Sequence, residues 1–139
     1  MSRSLSLSIL VLAVLAVIAG VRFTRSGDTG NEGCDIVRRA YEQVSFVEHS
    51  GDVPTSKVYA DATLTVRLAA ASPPPAVARA LADLADAYGR LGSLLRGFDA
   101  GDASTYHVYE DNTAAIEREQ TTVDTSLPPI RAWLDNRCR

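Results

Sequence analysis

His107, Glu110 and Asp111 place an imidazole and two carboxylates at three- and four-residue spacing, so on a helix they would share one face, as the ligands of a metal ion do. A closed zinc site takes about four ligands. The only other histidine is His49, and the two cysteines are better explained as oxidised, since their placement suits a disulfide. The expectation for this segment is therefore a solvated polar face, with no bound metal and no cofactor. Tyr106, His107 and Tyr109 offer the alternative of an axial haem ligand, with His49 as a second imidazole. There is no Cys-x-x-Cys-His attachment sequence, however, and Met1 is the sole methionine, which excludes a His/Met pair inside a domain. Tyr109 is expected to pack in a core. His107, Tyr109, Glu110 and Asp111 thus form the candidate ligand-binding set, and a haem or metal carrier is the runner-up function.

Nucleophilic chemistry has less to build on. The chain has no Gly-x-Ser-x-Gly turn and no glycine-rich phosphate loop followed by lysine, Lys57 being the only lysine. Carboxylates that recur in pairs, Glu110/Asp111, Glu117/Glu119 and Asp83/Asp86, fall at positions where a helix faces water, and charged residues are expected there whatever the function. No catalytic residue is assigned, and an enzyme is not expected; a hydrolase is the third reading.

Cys34 and Cys138 stand near the two ends of the chain that remains once the apolar N-terminal segment is set aside. Two cysteines so placed in a chain of 139 residues are most simply explained by export to an oxidising compartment and a bond between them. The N-terminus agrees with export. After Arg3, Leu5 to Val21 is a run of seventeen residues with no charge and only two serines, closed by Arg22 and Arg25. Such a run partitions into hydrocarbon. Residues 1–23 are therefore a transmembrane anchor or a signal peptide. The run is long and Val17-Ile18-Ala19 is only a fair cleavage site, which favours a retained single-pass anchor with the C-terminal domain outside the cytoplasm; secretion after cleavage near Ala19 is the alternative. Lipidation of Cys34 is disfavoured, because a polar dozen separates it from the apolar run.

Residues 24–33 are polar and glycine-rich with no apolar period, which predicts a flexible spacer. The domain is predicted over 34–139. Ile36, Val37, Ala40, Tyr41, Val44 and Val47 make a first helical face. Ser50 to Pro54 breaks it, with Thr55 or Ser56 available as the next cap. Residues 56–71 read both as helix (Val58, Ala62, Val66, Ala69) and as strand (Ala62, Leu64, Val66, Leu68). Helix is preferred, since a lone strand leaves its backbone groups unpaired. Ser72-Pro73-Pro74-Pro75 is a connector whose last proline suits a first helical turn. Val77, Leu81, Leu84, Tyr88, Leu91, Leu95 and Phe98, spaced by four and three, are a bundle-core stripe. Gly89 and Gly92 inside it point to a close neighbour. A weaker stripe, Tyr109, Ile116 and Val123, is broken by Asn112 and Gln120. Around Pro128-Pro129, Leu127, Ile130 and Leu134 complete a last arm predicted to be bent or split. The fold class is therefore all-α, a small antiparallel four-helix bundle. An even number of helices brings Cys34 and Cys138 together.

Arg3, Arg22 and Arg25 precede Ser26 and no acid does, so the remainder carries eleven basic against seventeen acidic side chains, a net of −6. With no arginine run, nucleic acid is an improbable partner. Cys34, the Ser72-Pro-Pro-Pro-Ala76 segment and the closing Ala132-Trp133-Leu134-Asp135-Asn136-Arg137-Cys138 resemble small alanine-rich exported helical proteins of actinobacteria with two framing cysteines. That resemblance implies an exported helical domain and no activity. The two framing cysteines are also shared with some mycobacterial haem-binding exported proteins, whose proline-containing repeats are not evident here. Trp133 is expected to be partly buried. The expected function is a cell-envelope helical interaction module. Its partners would be the membrane, through residues 5–21, and an envelope protein.

Overall fold

A computed structural model describes residues 29–72 and 74–138 of the chain, with side chains from Gly33 onward. Two compact units divide the chain, Met1–Glu32 and Gly33–Arg139. The described residues form four α-helices: α1 (Thr29–Glu48), α2 (Ser56–Ala70), α3 (Pro75–Leu94) and α4 (Tyr106–Arg137), the last preceded by a 3₁₀ turn at Ala103–Thr105. No strand occurs among them, which resolves the ambiguity of residues 56–71 in favour of helix. Residues 5–21, on which the anchor or signal expectation falls, lie outside the described residues. Among the described residues no helix is long and apolar enough to cross a membrane. Helix α1 is already formed at Thr29 and so takes in residues 29–33 of the segment expected as spacer.

Neighbouring helices run antiparallel. Gly92 of α3 lies against Ser56 and Tyr59 at the start of α2, and Arg67, a turn before the end of α2, is 3.8 Å from Asp86. On the other side Asn112 reaches Leu94 while Arg90 pairs with Glu119. Helices α1 and α4 meet at both ends, through Cys34–Cys138 and through Glu48–Gln120. The core is the predicted α3 stripe, with Leu81, Leu84, Tyr88, Leu91 and Leu95 almost wholly buried. Around it stand Val37, Ala40 and Val44 from α1, Ala62, Val66 and Ala69 from α2, and Val123 and Ile130 from α4.

Local chemistry starts the helices as the sequence suggests. The Thr55 hydroxyl accepts from the Val58 amide at 3.4 Å, and Pro75 occupies the first turn of α3, where its missing N–H costs nothing. Of the two forms expected for the last arm, bent or split, the split one does not occur. It is one helix from Tyr106 to Arg137 with Pro128 and Pro129 inside it, not two pieces. An interior proline costs about 3 kcal/mol in a helix. Both prolines face solvent, as do Asp124 and Thr125, the residues whose carbonyls lose a donor, so the loss falls on the exposed side of the helix. Val123 and Ser126 before the prolines and Ile130 and Leu134 after them are buried, so packing on both sides keeps the helix continuous. On α2 the inward face begins at Tyr59, with 4% of its surface exposed, rather than at Val58, with 39%.

The two glycines of α3 are not equivalent. A Cβ on Gly92 would lie 3.3 Å from the Ser56 carbonyl and from Tyr59 Cβ, whereas one on Gly89 would meet nothing closer than 3.9 Å. Gly89→Ala is therefore expected to stabilise the domain by about 0.5–1 kcal/mol, the ordinary helix-propensity gain. Gly92→Ala should lose that gain by pushing α2 outward. Paired urea titrations check this, and equal effects at the two positions would refute the close approach at Gly92.

Candidate functional site

The core stripe of α1 continues, at steps of four and three, through Val37, Tyr41 and Val44 to Glu48. A carboxylate at the last position of that face turns toward the bundle instead of water. There it accepts a hydrogen bond from the Tyr88 hydroxyl at 2.7 Å and a second, short one from Gln120 Nε2. Tyr88 is fully buried and meets the ring of Tyr59 edge-on, with centroids 5.2 Å apart. Glu48 has no basic partner among the described residues. The four ion pairs found there, Lys57–Asp61, Arg67–Asp86, Arg90–Glu119 and Arg131–Asp135, all lie elsewhere.

Glu48, Tyr59, Tyr109 and Gln120 line a cleft of about 270 Å³ between the loop after α1 and the start of α4. Gly51, at φ +77°, turns that loop over the opening. A second cleft of about 420 Å³ shares Gly51, Asp52, Val53 and Tyr109 with the first and is walled by Phe98, Tyr106 and Glu110. Its aromatic wall is continuous, the Phe98 centroid lying 6.0 Å from Tyr106 and 5.8 Å from Tyr109. The loop beneath is cross-braced. Thr105 Oγ1 bonds the backbone of Asp99 and Asp102, Asp102 accepts from the Ser104 amide, and the Tyr106 hydroxyl donates to Ala100 O at 3.0 Å. The site is thus preformed on helix ends and a tied loop, at the end of the bundle opposite the disulfide.

Burial, followed by the negative charge of Glu48, pushes the Tyr59 hydroxyl up to about 12; burial and the Glu48 hydrogen bond push Tyr88 up as well. A folded value above the ordinary 10 means the stability Tyr59 confers is complete below pH 10 and is lost as pH rises through about 12, and that of Tyr88 is lost in the same direction. In an alkaline titration followed by phenolate absorbance, two of the five tyrosines are expected to ionise late, together with loss of helical circular dichroism. Tyr59→Phe should reduce the late fraction to one. Five tyrosines titrating together with the helices intact would show that Tyr59 and Tyr88 are not buried as described.

Of the residues singled out from sequence, Tyr109 lines both clefts and Glu110 the outer one, while His107 and Asp111 are exposed and line neither. His107 Nδ1 lies 2.9 Å from Ser104 O, and His49 Nδ1 2.7 Å from Ser45 O. A carbonyl only accepts, so both rings donate to helix-end backbone. No group of three or more His, Cys, Asp or Glu among the described residues is placed to hold a metal ion. Sequence reasoning missed Glu48, Tyr59, Tyr88 as a hydrogen-bond donor, and Gln120 as a cleft residue. The available signal was polar residues falling on apolar stripes: Glu48 after Val44, Gln120 between Ile116 and Val123.

At the other end Cys34 and Cys138 lie at disulfide distance, Sγ–Sγ 2.11 Å and Cα–Cα 5.5 Å, and Arg38 donates to the Cys138 carbonyl at 2.7 Å. Trp133 packs half-buried against the core, its indole N–H without an acceptor among the described residues. Glu119 is buried, with Arg90 Nε 2.7 Å away but not aligned as a hydrogen bond, so that contact is electrostatic. The chain matches no protein-family model, and comparison with curated proteins and with solved structures likewise finds no match.

Proposed function

We propose that the chain is a non-enzymatic interaction module of the cell envelope, held at the membrane by residues 5–21 or released by cleavage near Ala19, and that the paired clefts are its binding end. The observation that carries this reading is the inner cleft. It holds a carboxylate satisfied only by neutral donors, together with Tyr59, whose hydroxyl has no hydrogen-bond partner among the described residues, and it adjoins an outer cleft built on a tied loop. Such a preformed concave site with a few convergent polar groups suits binding. Among the described residues, no serine, threonine, cysteine or lysine lines either cleft. The paired cysteines and the apolar run support an extracytoplasmic setting, and the clefts lie at the end of the domain away from Cys34, free to meet a partner.

Two measurements test the reading. Intact mass of the chain from its host, with and without reduction, is expected to give a species two mass units lighter before reduction, either uncleaved or beginning near Gly20; free thiols would count against the envelope setting. A photo-crosslinking residue at Tyr106, on the cleft rim, should give a discrete adduct in intact cells that the same probe at Asp83 does not. Substrate turnover by the purified chain would overturn the module. The competing carrier reading, through His107, Tyr109, Glu110 and Asp111, requires a haem or metal absorbance change abolished by His107→Ala.

A further inference from the structure

Among the residues lining the two clefts are three carboxylates, Glu48, Asp52 and Glu110, and four aromatic rings, Tyr59, Phe98, Tyr106 and Tyr109. No lysine, arginine or histidine lines either cleft, although the cavities elsewhere on the domain include Arg38 and Arg131, or Arg67 and Arg96. None of the three carboxylates takes part in any of the four ion pairs. Like charges gathered between low-dielectric walls focus a negative potential into the space they enclose. Each Glu48 oxygen accepts one hydrogen bond and keeps a lone pair. Tyr59, with only 4% of its surface exposed, lines the inner cleft, and its hydroxyl has no hydrogen-bond partner among the described residues. That hydroxyl is not among the fully enclosed unpaired atoms, so it keeps access to solvent and is open to a ligand as partner.

An anion is excluded by the three carboxylates, and a neutral apolar group would leave Glu48 and Tyr59 with unused acceptors. A protonated nitrogen uses both, and the aromatic faces around it add cation–π attraction. The two clefts share Gly51, Asp52, Val53 and Tyr109, so the cation's carrier has an adjoining aromatic-walled cleft in which to lie. We infer that the inner cleft receives one basic side chain, arginine or lysine, of a partner polypeptide. Glu48 is its counter-ion, Tyr59 Oη is a second acceptor, and Phe98, Tyr106 and Val53 cover the stem and the neighbouring residue. This rests on the reading of the clefts as the binding end and names what they bind.

The test uses the full chain in detergent micelles with its disulfide intact, titrated with capped tripeptides and followed by the amide resonances of Gly51 and the side-chain amide of Gln120. Acetyl-Leu-Arg-Gly-amide and its lysine counterpart are expected to shift these resonances saturably, and the glutamate counterpart to leave them unmoved. The stronger of the two basic peptides identifies the side chain preferred. Glu48→Gln should weaken binding about ten-fold or more, Tyr59→Phe about three-fold, and the distant surface variant Asp83→Asn not measurably. If Glu48→Gln fails to fold, the exposed pair Asp52→Asn/Glu110→Gln should still weaken binding by several-fold. Equal shifts with the glutamate peptide, or binding as sensitive to Asp83→Asn as to Glu48→Gln, would overturn the inference and leave the interaction module standing. So would self-association of the chain that Glu48→Gln abolishes, which would make a second copy the occupant. An adduct-free Tyr106 probe together with silent titrations would remove both.

Discussion

Replacing Cys34 and Cys138 by serine is expected to lower the stability of the domain by about 4–5 kcal/mol, because the crosslink spans a sequence separation of 104 and loops near that length lose the most freedom in the unfolded chain. Total stability of a domain this size is of the order of 5–15 kcal/mol, so the reduced form would keep only a fraction of it. The midpoint of thermal unfolding should fall by roughly 20 °C. The effect acts on the unfolded ensemble, so the folded state should look alike with and without the bond. Leu134 and Ile130 remain packed, and Arg38 still reaches the last turn of α4. Equilibrium unfolding with and without reductant, with circular dichroism of each folded state, measures this. A loss below about 1 kcal/mol would mean that the unfolded chain already holds its ends together.

Tyr88 is the second position where a large effect is expected. Its ring is fully buried in the centre of the core and its hydroxyl is one of the two donors that hold Glu48. Tyr88→Ala should cost about 5 kcal/mol, the sum of an aromatic cavity and a lost bond to a carboxylate. Tyr88→Phe keeps the packing and should cost about 2 kcal/mol, nearly all of it from Glu48 left with Gln120 alone. The distinguishing experiment is the double variant Tyr88→Phe/Glu48→Leu. Removing both partners of a polar contact is far less costly than removing one, and the Gln120 amide left without its acceptor is only half-buried, so the double variant should be more stable than Tyr88→Phe. If it is less stable, Glu48 contributes to the fold beyond its role at the cleft. The same double variant lacks the counter-ion and should not bind basic peptides, which separates stability from binding at this site.

Glu48 shows where reading the chain as a string of helices stops. Its position on the stripe of Val37, Tyr41 and Val44 was visible, yet a glutamate after a valine near a glycine turn is equally what a solvated helix end contains. Only the packing of α3 and α4 over the end of α1 decides that Tyr88 and Gln120 are there to meet it. Tyr59 repeats the lesson. The spacing of Ala62, Val66 and Ala69 fits either Val58 or Tyr59 as its first member, and the choice depends on how far α2 turns toward Gly92, where α3 has no side chain to keep it away. His107 and Asp111 stand out in the sequence because their chemistry is versatile, but the phase of α4, set by Ile116, Val123 and Ile130, turns them outward and Tyr109 inward.

By itself the sequence determined the helical class, the stripe of α3 that became the centre of the core, the start of α2 at Thr55 or Ser56, the place of Pro75 in the first turn of α3, and the pairing of Cys34 with Cys138. These come from periodicity, local backbone chemistry and the parity of helices, all of which act within one element or along the chain. The tertiary structure alone decided that α4 continues through Pro128 and Pro129, that Tyr59 and not Val58 faces inward, and that Glu48 and Tyr59 line one cleft. Each of those outcomes depends on what a second helix lays against the first. Helical spacing names the residues that share a face, but it does not say what will cover that face.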